Sequence, residues 1–180
     1  MSTGSAEEGR APVLVLGLGN PLLRDDGVGL CLLQALQAHA APWGGRVELV
    51  DGGTQGLALL GRIAGRRALV LLDAVALGAE PGTVHRLDAA TALRLASTPG
   101  ATAHEGGAGP LLAACDLIGD LPGAVAVLGI EPAEVATGIG LSPPVQAALP
   151  KALEWARGAV ESLLAALDGG PRAREDVCTS

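Results

Sequence analysis

The chain contains no phenylalanine and no tyrosine, and its whole aromatic content is Trp43 and Trp155. Single-stranded nucleic acid is held by stacking bases on aromatic side chains, a platform absent here. Lysine is nearly missing as well: Lys151 is the only one, and the formal net charge is −7. An acidic surface repels phosphate backbones, so nucleic acid is excluded as an expected partner. Cysteine is scarce. Cys31, Cys115 and Cys178 form an odd set without close spacing. That excludes a disulfide framework and a CxxC metal site, and it fits a reduced, cytoplasmic protein. No apolar run approaches the ~20 residues that span a bilayer, so no membrane association is expected. The first eight residues are polar and acidic, unlike a signal or transit peptide. What is abundant is Leu, Val, Ala and Gly, with hydrophobic residues at 49%. An aliphatic stock of that size suits a parallel sheet covered by helices on both faces.

The order of elements follows from hydrophobic patterning. Residues 12–19 read as a buried central strand, and 27–40 as a helix with Asp25 or Asp26 as its N-cap. Residues 46–50 form a short strand that runs into a turn, Asp51-Gly-Gly-Thr54, and a helix near 55–64. Residues 67–72 are a second continuous apolar strand. The link from Ala74 to Gly82 is too short for a helical crossover, so the strand near 83–87 runs antiparallel to at least one neighbour. A short helix at 89–96, a helix at 107–118, a strand at 123–129 and a long helix at 143–167 complete the pattern. Strands alternating with helices predict an α/β fold with a mostly parallel sheet. One domain is expected over 11–167, with a flexible start at 1–10 and a loose polar tail at 168–180.

Charged residues at the ends of apolar strands carry the functional expectation, because open α/β sheets bind ligands outside the carboxyl ends of their strands. Asp25 and Asp26 follow the first strand. One suffices to cap the helix, which leaves the other to face the cleft. Asp73 closes the 67–72 strand and must be solvated or paired there. Asp51 ends a strand too, but the following Gly52-Gly53 favours a turn. His104 lies in a polar, glycine-rich loop, Thr102 to Gly109. Two carboxylates and an imidazole from three such points suit a metal or acid/base site. His39, near a helix end, suits the helix dipole. His85 is expected to face solvent on an edge strand. Cys31 and Cys115 are expected to be buried small hydrophobes. Gly17 and Gly19 begin a GxG pattern, but Leu22 stands where a third glycine belongs and the acids oppose a pyrophosphate. No serine sits in a G-x-S-x-G turn.

Several segments together resemble the nickel-iron hydrogenase maturation endopeptidases. They are Gly17-Leu-Gly-Asn-Pro-Leu-Leu-Arg-Asp-Asp-Gly-Val-Gly29, Val50-Asp-Gly-Gly-Thr-Gln-Gly56, Leu72-Asp-Ala74 with Pro81-Gly-Thr83, His104, Leu128-Gly-Ile-Glu-Pro132 and Gly140-Leu-Ser-Pro143. They occur in the family's order and cover about residues 12–165. Gly17-Leu-Gly-Asn-Pro21 also looks like the opening of peptidyl-tRNA hydrolases, but Arg24-Asp-Asp-Gly follows in place of their Thr-Arg-His-Asn type segment. The resemblance implies a five-stranded twisted sheet between helices with one antiparallel strand. It implies a cytoplasmic protease that removes a short C-terminal extension from a hydrogenase large-subunit precursor after nickel insertion. The residues it implies for catalysis and metal contact are Asp26, Asp73 and His104. Asp25, Asp51, Gly52, Gly53 and Thr54 would line the substrate groove or support the acids. Nickel would come with the precursor, and other divalent metals could occupy the site in vitro. A monomer is expected. The alternative is a nickel-binding accessory protein that holds the precursor without cutting it.

Overall fold

The computed structural model describes residues 9–96 and 107–169. Five strands form one sheet: β1 Val13–Leu18, β2 Val47–Gly53, β3 Ala68–Ala74, β4 Val84–Asp88 and β5 Ala124–Ile130. Their order across the sheet is β2-β1-β3-β5-β4. The first four neighbours in that order are parallel, and β4 pairs antiparallel with β5 from Val84↔Ile130 to Asp88↔Ala126. The antiparallel strand thus lies where the short link after β3 required it.

Helices flank the sheet: α1 Val28–Gln37, α2 Leu60–Ile63, α3 Ala89–Ala96, α4 Ala108–Ile118 and α5 Pro143–Leu167. Side chains alternate along a strand, so each strand feeds two cores. Val13, Val15, Val70 and Leu72 face α1 and α5, meeting Leu32, Leu36, Ala152, Ala156 and Val160. Leu14, Leu16, Leu69 and Leu71 point the other way, toward Leu59, Ile63, Leu111, Leu112 and Cys115. All of β1 and β3 is buried. Each fully buried leucine contributes about 2 kcal/mol of transfer free energy. No described helix is long and apolar enough to cross a membrane.

Four expectations are corrected. The 46–50 strand continues to Gly53, because Asp51 pairs with Gly17 and Gly53 with Leu18 of β1. The helix near 55–64 is a 3-10 turn, Gly56–Leu59, followed by the single turn of α2. Cys31 is exposed, since α1 packs through Leu32, Leu33 and Leu36. Cys115 is buried as expected, and that burial raises its thiol pKa. His85 is not solvent-facing; its place in the site is described below. The segments 1–8 and 170–180, and His104, lie outside the described residues.

Candidate active site

The sheet order makes a crevice. From β1 the chain moves outward to β2, then returns across β1 to β3, so the connections diverge between the carboxyl ends of β1 and β3. Asp73 is the penultimate residue of β3, and Asp26 lies in the 3-10 turn Arg24–Gly27 after β1. Gly29, at the start of α1, brings the two ends together. A Cβ there would lie 2.2 Å from the Leu72 carbonyl oxygen and 2.3 Å from that of Leu18. Only glycine lets α1 begin so close to both strands.

The crevice acids are buried. Asp73 is 1% exposed. Its Oδ1 accepts the amide of Ala74 and its Oδ2 the amide of Ala108, both at 2.8 Å. Ala108 is the first residue of α4, so the carboxylate also meets the positive end of that helix. Anchored at both oxygens, Asp73 has a fixed orientation. Asp26 is fully buried, and its Oδ2 accepts the amide of Asn20 at 2.7 Å. That bond closes the Gly19–Asp26 turn, in which Gly19 has φ +118° and a Cβ would lie 1.8 Å from the Asp26 carbonyl oxygen.

Neither acid caps α1. Its N-cap is Gly27, without a side-chain hydrogen bond. The 3-10 turn ahead of the helix aims both carboxylates elsewhere. Asp25 reaches the loop after β5: Oδ1 accepts the Ser142 amide at 2.6 Å, and Oδ2 accepts the Ala133 amide at 2.9 Å, the Glu134 amide at 3.0 Å and the Ser142 hydroxyl at 2.7 Å. Burial pushes the Asp25 pKa up, but these donors outweigh it and hold the group below its ordinary value. Arg24 adopts φ +52°, a left-handed conformation that costs a non-glycine residue about 1 kcal/mol. The turn holds it there through Arg24 N to Gly138 O at 3.1 Å, Gly138 N to Leu22 O at 2.9 Å, and an Arg24–Glu134 ion pair at 3.2 Å.

Glu131 is a further buried acid, one given no role from the sequence alone. It is 4% exposed, directly after β5, and accepts the amides of Leu77 and Gly78. His85 Nε2 also contacts its Oε2 at 2.8 Å, and the histidine side chain is only 13% exposed. Burial opposes the Glu131 charge, while the Leu77 amide, His85 and the Gly78 amide stabilise it and lower its pKa. The clue was available: Glu131 ends an apolar strand as Asp73 does. His39 behaves as expected, with Nδ1 3.2 Å from the Ala35 carbonyl near the end of α1.

The glycine-rich turn also reaches the crevice. Asp51 is exposed, Gly52 is buried against Leu18 and Leu59, and the Gly53 carbonyl accepts the Gly19 amide at 3.0 Å. Thr54 follows, exposed. The structure therefore brings Asp25, Asp26, Asp51–Thr54 and Asp73 to one end of the sheet. Among the described residues, no three His, Cys, Asp or Glu side chains gather as a metal cluster.

Residues 31–159 match the family model HycI, described as hydrogenase maturation protease. The chain belongs to the hydrogenase maturation protease family. The hydrogenase 2 maturation protease of Escherichia coli K12 is 36% identical over 79% of this chain and 86% of its own length. The hydrogenase expression/formation protein HupD of Thiocapsa roseopersicina is 35% identical over 80% of this chain, which spans 65% of that longer protein. The solved hydrogenase maturating endopeptidase HybD from E. coli superposes with a TM-score of 0.73 at 32% identity, covering 83% of this chain and 91% of that one. Maturation proteases are hydrolases, and the five-stranded fold with one reversed strand is that of HybD.

Proposed function

We propose that this protein is an endopeptidase that removes the C-terminal extension from the nickel-loaded precursor of a [NiFe]-hydrogenase large subunit. The observation that carries the reading is the convergence of Asp26 and Asp73, both buried, at the carboxyl ends of adjacent central strands. Backbone amides hold both carboxylates there in fixed orientations, as positioning at a scissile bond requires. Family membership supplies the reaction class: water adds across a peptide bond, its oxygen to the carbonyl carbon and its proton to the departing amine.

Carboxylate oxygens and an imidazole suit nickel and other borderline divalent ions. Asp26 and Asp73 would supply two contacts, and His104 would supply the third. His104 stands four residues ahead of Ala108, whose amide holds Asp73. Three protein ligands leave positions open for an ion that arrives already bound to the precursor. Nickel is then part of the substrate, and its presence tells the enzyme that the precursor is loaded. The protein acts in the cytoplasm, as a monomer.

Asp26→Asn and Asp73→Asn test the reading. Each keeps the size of the side chain and removes the carboxylate. Cleavage of the loaded precursor should fall at least ~100-fold in each variant. Parent-like cleavage by either would remove that acid from the site. His104→Ala should weaken nickel binding in calorimetry; equal affinity would exclude this histidine.

A further inference from the structure

We infer that Leu22, Val135 and Ile139 form the surface on which the precursor docks, through apolar side chains of its own beside the scissile bond. The inference rests on the endopeptidase reading and names the contact that precedes cutting. These residues are large, aliphatic and exposed, at 60%, 41% and 87%. They come from two segments far apart in sequence, the turn after β1 and the loop after β5.

The fold joins those segments at a cost. The Gly138 amide donates to Leu22, the Arg24 amide to Gly138 and the Asp25 amide to Glu134. A buried carboxylate, Asp25, takes four more bonds from the loop, and Arg24 is held in a left-handed backbone conformation. Exposed apolar side chains contribute nothing to the core, so rigid presentation of three of them calls for an outside partner. Their position says which one. Leu22 sits in the turn that the Asn20–Asp26 bond closes, so the patch is built on the same turn that carries a crevice acid.

Charge says what kind of segment fits. The exposed charges of the two segments are Arg24 and Glu134, and they pair with each other. The patch therefore presents no net charge and favours an apolar stretch over a charged one. A contrast is built into the chain. Leu117 is 88% exposed near the end of α4. That helix starts at the Asp73 amide contact and runs about 16 Å away from it. Leu117 belongs to the opposite end of the molecule.

The test is steady-state cleavage of the nickel-loaded large-subunit precursor by the parent, Leu22→Asn/Ile139→Asn, and Leu117→Asn. The double variant should raise KM about tenfold or more, with kcat within about twofold and thermal stability kept. Leu22→Ala/Ile139→Ala should shift KM the same way by less. Leu117→Asn should leave both constants at parent values. An unchanged KM in the double variants overturns the inference, and so does an equal rise in Leu117→Asn. A parent dimer that the double variant dissolves, seen by sedimentation velocity, overturns it too, because the patch would then be a contact between copies. Binding of the nickel-loaded precursor, measured beside its cleavage, separates the two readings. Binding that depends on Leu22 and Ile139, with no cleavage by the parent, supports docking and overturns the endopeptidase. Cleavage that ignores both residues does the reverse.

Discussion

Asp25→Asn is the substitution whose cost can be worked most directly from the geometry. The parent carboxylate takes one donor at Oδ1 and three at Oδ2. The best placement of asparagine keeps its oxygen at the three-donor site. Its NH2 then confronts the Ser142 amide, 2.6 Å from Oδ1 in the parent. One bond becomes a contact between two donors, which costs about 1–3 kcal/mol. The other three change from charge-assisted to neutral, at about 1 kcal/mol each. Relief from burying a charge offsets part of this, leaving a net loss of about 3 kcal/mol. For a domain of this size that lowers the melting temperature by about 6–12 °C. Ser142→Ala removes one of the four bonds and should cost about 1–2 kcal/mol. Urea unfolding of parent and both variants gives the order directly. Asp25→Asn within about 0.5 kcal/mol of the parent would refute the reasoning, because four bonds to a buried carboxylate would then contribute nothing net.

Further outcomes follow from the same contacts. Gly29→Ala should destabilise by at least about 3 kcal/mol in urea unfolding, because its Cβ would strike two strand carbonyls, backbone that cannot swing aside. Acid should destabilise the protein through Asp25 and Glu131. Both are held below their ordinary values of 3.8 and 4.5, so their stabilisation is complete above that range and fades as pH falls through the lower folded values. Unfolding free energies across the acid range should drop with falling pH, and the drop should shrink in Asp25→Asn; a parallel profile in that variant would exclude Asp25 as a contributor. His85→Ala should cost about 1–2 kcal/mol near neutral pH by removing a partner of buried Glu131, and unchanged thermal unfolding would show the contact to be idle.

Most of the fold was legible because long apolar runs and short links leave few arrangements. The strands at 12–19 and 67–72 could only be central, and the eight residues after Ala74 could not carry a crossover. The crevice acids were legible in part: Asp73 ends an apolar run, whereas Asp26 stands eight residues past the end of the first strand and was set apart from Asp25 only by the family resemblance. Their partners were not. Asp25 and Asp26 are adjacent in sequence, and nothing local says that one grips a loop more than a hundred residues away while the other closes its own turn. The N-cap expectation failed on that point: a capping acid and a clasping acid look alike until the distant loop is in place. His85 was misread because alternation on an edge strand describes which face a side chain takes. It does not say whether a buried glutamate from the next strand waits there.

Hydrolysis of a nickel-loaded precursor at the Asp26–Asp73 crevice is the proposed activity. Its most direct test is the intact mass of a hydrogenase large-subunit precursor, with and without nickel, after incubation with the parent protein and with Asp26→Asn. The nickel-loaded precursor should lose a C-terminal peptide with the parent alone. An unchanged mass of the loaded precursor despite tight binding, or equal cutting by Asp26→Asn, would contradict the proposed activity.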